Sequence, residues 1–162
     1  MTSNGTTPGR YREPLTADRV IELLGLAELP VEGGHFGQSW RSAEASAIYY
    51  LLRSPEFSGL HRLSHLEVYA HHAGAPLRML LLHPDGTVTR PVLGLDLAAG
   101  QRPQVVVAPG VWQASEPDGD WSLVGTVVVP PYTDDVVEFA KAADLEPVYP
   151  EHVELIRRFS RF

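Results

Sequence analysis

Five of the chain's seven histidines, His61, His65, His71, His72 and His83, lie between Phe57 and Gly86, with a single glutamate, Glu67, among them. Imidazole titrates near neutrality and ligates metals through a ring nitrogen. Beside a carboxylate it therefore furnishes either a metal site or an acid–base pair. Any one of these histidines is more simply explained as tolerated on a half-buried sheet. His61 and Glu67 together are not so easily dismissed, and they form the candidate catalytic pair.

These residues need strands to hold them. Leu60 to Leu63 and Glu67 to His72 read as two strands around a bend, the second closed by Gly74 and Pro76. Period-two alternation puts Glu67, Tyr69 and His71 on one face and Val68, Ala70 and His72 on the other. Arg78 to His83 is a third strand, and Pro84-Asp85-Gly86 a hairpin turn into Thr87 to Leu93.

The pattern continues on either side. Ser46 to Leu52, Gln104 to Ala108, Val111 to Ala114 and Trp121 to Val129 are apolar runs bounded by turn residues, and Gly94 to Pro103 is a loop. In VEGGHFGQSWRS, Gly33-Gly34 permits a tight turn, and Phe36, Gln38 and Trp40 share a strand face. About nine short strands with turns every eight to twelve residues predict a closed or double-sheet β-barrel.

Helices are confined to the ends. Thr16 caps a short one in which Val20, Leu23 and Leu24 share a face and Gly25 is the stop. Pro150 to Phe162 is a second, with Val153, Leu155, Ile156 and Phe159 as its apolar residues. Asp134 to Ala143 reads as an acidic loop or helix, and residues 1–14 as a polar tail before one domain over residues 15–162.

Composition excludes several classes of function. The 162 residues carry a net charge of −7, which gives no attraction for phosphate backbones or anionic membranes, so neither nucleic acid nor a membrane is an expected partner. There is no cysteine, hence no disulfide and no thiolate ligand. The first residues lack the apolar core of a signal peptide, and a cytoplasmic protein is expected. No P-loop, dinucleotide fingerprint, nucleophile elbow or HExxH is present.

Taken in order, VEGGHFGQSWRS, SAIYYLL, LHR followed by Glu67, HAGAPLRMLLLHPDG, LGLDLAAGQRPQVVVAPGVWQAS and WSLVGTVVVPPY resemble the cupin superfamily. More narrowly, they resemble the small, largely uncharacterised cupins grouped as the fifth cupin family. The resemblance spans roughly residues 20–140 and is most specific in GQRPQVVVAPGVWQAS. It implies an all-β fold, a double-stranded β-helix (jelly-roll) barrel with an internal cavity, and a homodimer.

It also implies a site. General cupins hold a divalent metal with His-x-His, a glutamate four residues on, and a later histidine. The corresponding positions here are His61, Leu63, Glu67 and Gln113, and the narrower family likewise carries an aliphatic residue and Gln at the second and fourth. Departures from that family fall at Leu66, Tyr69, Ala70 and His71. If His71 joins His61, Glu67 and Gln113, the set can hold Mn, Fe, Ni or Zn with open positions.

The metal-free expectation is proton transfer. A glutamate in an apolar barrel has its charged form disfavoured, and an adjacent imidazole completes an acid–base pair near neutral pH. The expected function is an isomerase or epimerase, or else a lyase or cyclase, acting on a small carbonyl-containing metabolite. His61 and Glu67 would move protons, Gln113 would polarise the carbonyl, and Tyr69, His71 and Trp112 would contact substrate. The alternative is a barrel that only binds a small ligand, because a fold does not fix an activity.

Overall fold

The computed structural model describes residues 14–162, so the expected tail falls outside the described residues except for Pro14. In chain order the strands are β1 (Ala27–Glu28), β2 (His35–Arg41), β3 (Ser46–Arg53), β4 (Ser58–Leu63), β5 (Leu66–Gly74) and β6 (Leu77–Leu82). They continue with β7 (Val88–Thr89), β8 (Val92–Leu93), β9 (Gln104–Val107), β10 (Trp112–Pro117), β11 (Trp121–Val129) and β12 (Val137–Phe139). One antiparallel sheet runs β1-β2-β3-β11-β5-β9, and the other runs β12-β4-β10-β6-β7 with β8 also on β6. The two sheets pack face to face, as the jelly-roll expectation requires.

Register decides what faces inward. Ser46, Val128, Glu67 and Val107 are cross-strand neighbours in the first sheet, and Ile48, Thr126, Tyr69 and Val105 form the next inward row. One end of the interior is filled by Tyr50, Leu52, Leu77, Met79, Leu81, Leu93 and Val124. The outer face of the second sheet is covered instead by the C-terminal segment, whose Tyr149, Ile156 and Phe159 pack on Leu60, Leu80, Leu82 and Trp112.

Several expectations need correction. In β2 the pairing with β3 slips between Gln38 and Trp40, a bulge that places Ser39 out of register. Trp40 is thereby turned away from the face that carries Phe36 and Gln38 and stands 54% exposed, while Arg41 faces inward. The segment read as one strand from Thr87 to Leu93 is two short strands on either side of Arg90-Pro91, since proline cannot continue the ladder. Asp134 to Ala143 is neither wholly loop nor wholly helix: a 3₁₀ turn at Asp134–Val136 leads into β12, which pairs with β4 and closes that edge.

Helix α1 (Ala17–Leu24) is capped by Thr16, whose side chain accepts from Arg19 N at 3.3 Å, and stopped by Gly25 in the left-handed region. Its buried contacts are made by Ala17, Val20 and Ile21. Leu23 and Leu24, expected on the apolar face with Val20, are exposed, and Leu26 beyond the Gly25 stop is buried with Val20 instead. Helix α2 (Ala142–Leu145) precedes a 3₁₀ turn at Pro150–His152, and α3 is shorter than expected, Val153–Phe159. None of the described helices is long and apolar enough to cross a membrane.

Candidate active site

A cavity of about 240 Å³ opens at the end of the barrel that the core leaves unfilled. Its wall is mostly apolar, from Leu29, Phe36, Ile48, Leu63 and Val128, and His61, Glu67 and Glu32 stand among these residues. Sheet register explains the convergence. Glu67 lies in the inward row of β5, and His61 lies on β4 directly opposite Gln113 of β10.

His61 is 3% exposed. Between the Gln113–His61 and Ser115–Ser58 pairs, β4 carries one residue more than β10. That bulge brings the Gly59 carbonyl within 2.7 Å of His61 Nδ1. A carbonyl only accepts, so Nδ1 carries a hydrogen, and in the neutral ring the lone pair is on Nε2. Nε2 lies 3.9 Å from Glu32 Oε1.

Glu67 is 6% exposed, and Gln113 Nε2 donates to its Oε2 at 2.8 Å. Burial holds this carboxyl above the usual glutamate range. The nearby charge of Glu32 adds to that effect, while His61, the Gln113 amide and the Thr126 hydroxyl oppose it. Burial likewise keeps the phenols of Tyr50 and Tyr69 neutral, and for Tyr69 the Glu67 carboxylate adds to the effect. Tyr50 spends its hydroxyl proton on the Gly33 carbonyl at 2.7 Å.

Glu32 was not among the sequence candidates. It sits in the turn between β1 and β2, just after Val31, which takes a φ of 68°. Its Oε1 accepts from Ser58 Oγ at 2.9 Å, and its main-chain carbonyl accepts from Gly59 N at 2.7 Å. The following glycine is obligatory in practice: at φ 101° a Cβ on Gly33 would lie 2.6 Å from the Phe57 carbonyl oxygen and 2.5 Å from Arg161 Nη2. A carboxylate immediately before a Gly-Gly turn was the available signal.

The other sequence candidates fare unequally. Tyr69 lines the cavity. Gln113 is 1% exposed and lies behind Glu67, its amide committed to that carboxylate and not to the cavity. His71 keeps the inward phase, in register with Val124, but it is not part of the cavity wall; its Nε2 meets the Ala75 carbonyl at 3.1 Å. Trp112 does not face the cavity either: it belongs to the cluster on the opposite face of the second sheet, where Arg62 stacks 4.5 Å from its ring centre. Arg62 also pairs with Glu138 at 2.7 Å.

This donor set does not fit a divalent metal. Among the described residues no three His, Asp or Glu side chains are grouped to hold one. Leu63 presents hydrocarbon where general cupins present a second imidazole, and Gln113 turns its nitrogen, a donor, toward Glu67.

Two facing antiparallel sheets around a cavity that opens at one end, with His61, Glu67 and Gln113 contributed by the strands that carry the two motifs, define a cupin barrel. The family model described as Cupin superfamily (DUF985) matches residues 18–140, and the chain belongs to that family. A crystal structure of a protein from Shewanella oneidensis is similar at 39% identity and a TM-score of 0.85, covering 91% of this chain and 99% of that one. A hypothetical protein from Leishmania major matches at 26% identity and 0.83, covering 90% and 99%. A cupin 2 conserved barrel domain protein from Rhodopseudomonas palustris, at 20% identity, a TM-score of 0.58 and coverage of 84% and 85%, shares the fold. No curated protein matches the chain.

Proposed function

We propose that this cupin is an enzyme of the isomerase or epimerase type, moving a proton on a carbon next to a carbonyl in a small metabolite. The observation that carries the proposal is the shared cavity wall: a carboxyl whose charged form is penalised by burial lies beside an imidazole that offers its Nε2 lone pair when neutral. That pairing assigns the roles. His61 Nε2 takes the proton from carbon, the C–H electrons form the enol double bond, and Glu67 gives its proton to the carbonyl oxygen. As an enol or enediol hydroxyl gives its proton back to Glu67, protonation of the same carbon by water on the opposite face gives the epimer, and return of the proton from His61 to the neighbouring carbon gives the isomer; loss of a leaving group next to the same enol would make the enzyme a lyase.

Glu32 supports the imidazolium formed in the first step, because its carboxylate is the charge nearest Nε2. Gln113 orients Glu67 and does not contact the carbonyl, which changes the role expected from the sequence. No divalent ion takes part in this scheme. The test is solvent deuterium incorporation at the substrate carbon, followed by NMR. Binding without exchange across a panel of carbonyl compounds would reduce the protein to a ligand carrier.

A homodimer forms part of the proposal. Trp40, Ala47, Val127, Val68 and Val106 are successive cross-strand neighbours on the outer face of the first sheet. Trp40, Val127 and Val106 are exposed by 54%, 38% and 58%. A contiguous apolar row across five strands suits a second copy of the same face.

A further inference from the structure

The bulge at Ser39 leaves a consequence inside the barrel. Without it, Arg41 would share the outer face of β2 with Ser39; with it, Arg41 pairs with Ser46 and joins the cavity wall. It is the one Lys or Arg on that wall among the described residues. Its Nη1 donates to the Tyr132 carbonyl at 2.7 Å, and Tyr132 is itself tied by its N–H to Ser46 Oγ at 2.9 Å. The guanidinium is therefore anchored at one nitrogen, and no carboxylate among the described residues pairs with it. A planar cation with donors to spare, held by a neutral carbonyl at a cavity mouth, is a site for an oxyanion.

The rest of the wall selects the kind of oxyanion. Glu32 and Asp134 also line the cavity, and their field works against a doubly charged phosphate. A single negative charge gains the guanidinium at a smaller repulsive cost. The cavity, about 240 Å³, takes a small metabolite.

We propose that Arg41 is the carboxylate-binding end of this cavity, so that the substrate is a small carbonyl-containing carboxylic acid. Its acid group lies at the mouth, and its carbonyl lies between His61 and Glu67. This rests on the reading of the cavity as a proton-transfer site for carbonyl compounds and adds the charge and class of the molecule.

The experiment is calorimetric titration of a panel of four- to six-carbon 2-oxo acids, each beside its primary amide, with inorganic phosphate as a second anion. The proteins are the wild type, Arg41→Gln and Glu67→Gln. At least one acid should bind the wild type about tenfold or more tighter than its amide, the worth of one charge-assisted hydrogen-bonded pair. Arg41→Gln should abolish that preference, and Glu67→Gln should keep it. Equal affinity for acid and amide, a preference that survives in Arg41→Gln, phosphate binding as tight as the best acid, or no binding by any acid would each overturn the assignment. Failure of the proton-transfer reading looks different: the acid preference persists, but no deuterium enters the bound acid.

Discussion

Gln113 and Glu67 are 46 residues apart in the chain and joined by a 2.8 Å hydrogen bond behind the cavity wall. The first comes from the second sheet and the second from the first, so one contact ties the two sheets where the chemistry is proposed. At the position where a general cupin offers an imidazole to a metal, this chain offers an amide N–H to a carboxylate. The exchange replaces a ligand with an orienting group, and Glu67 becomes an acid held at Oε2 by the Gln113 amide.

Replacing Glu67 with Gln keeps the shape and removes the transferable proton. Turnover should fall by about 10²- to 10⁴-fold, the usual worth of a general acid or base. Stability supplies an independent readout. Because burial raises the folded-state pKa of Glu67, the folded protein holds this proton more tightly than the unfolded chain. The wild type is therefore favoured at low pH and loses that advantage as pH rises from the ordinary glutamate value through the raised one. Denaturant titrations of wild type and Glu67→Gln should show the variant gaining relative stability across that interval. Parallel curves would mean that Glu67 titrates as an ordinary carboxyl.

Glu32→Gln should slow turnover by about ten- to a hundredfold while leaving the KM within a factor of about three, since Glu32 acts on the charge formed at His61 during the reaction and not on the bound ground state. Steady-state kinetics decides it. A rise in KM at unchanged kcat would make Glu32 a binding residue.

Much of this was legible in the chain because strand period and turn chemistry are local. Glu67 and Tyr69 were placed on one face by alternation alone, and both are inside. The errors arose where a bulge or a partner element intervenes. Trp40 and Arg41 exchanged faces at the Ser39 slip, which no periodicity announces. His71 has the right phase but lies beyond the cavity, at the core-filled end, because alternation gives a face and not a depth. Trp112 follows Val111 into the strand with its ring toward the C-terminal helices, a packing partner too distant in sequence to anticipate. Glu32 was missed for a related reason: it becomes a site residue only when the β1–β2 turn folds against β4.

The metal expectation is open to direct measurement. Protein purified without affinity metal should contain less than about 0.1 equivalent of Mn, Fe, Ni or Zn by elemental analysis, and EDTA should leave the Tm unchanged, because a structural or catalytic ion of this kind needs at least three good donors. A stoichiometric ion, or a Tm that drops on chelation, would mean that the donors regroup in solution and that His71 or Glu32 belongs to a coordination sphere.

The apolar outer row predicts the oligomeric state. Light scattering at micromolar concentration should give about twice the chain mass of 17.8 kDa. Val127→Asp together with Val106→Asp places two charges on that face and should yield a folded monomer. A monomeric wild type would leave Trp40 and its neighbours exposed for another reason, and a dimeric double variant would locate the interface elsewhere.

Arg161, the penultimate residue of the sequence, makes the furthest-reaching connection to the site. Its Nη2 donates to the Glu32 carbonyl at 3.0 Å and to the Phe57 carbonyl at 2.9 Å, with its guanidinium 4.2 Å from the Phe57 ring centre. Gly59 donates to that same Glu32 carbonyl and accepts from His61 Nδ1. Arg161 thus fixes the backbone of one site carboxylate and, through Gly59, the ring of the site imidazole without touching the cavity. Arg161→Ala should lower the Tm by a few degrees, consistent with about 1–2 kcal/mol for the lost bonds, and should lower kcat by about tenfold. A purely structural role would give the first effect and not the second. Guanidinium ion at tens of millimolar should restore part of the lost kcat by refilling the vacated position, and Arg161→Lys, which supplies a charge but no planar fork, should recover less. If kcat in Arg161→Ala matches the wild type, the C-terminal segment only covers the barrel and does not hold the site in shape.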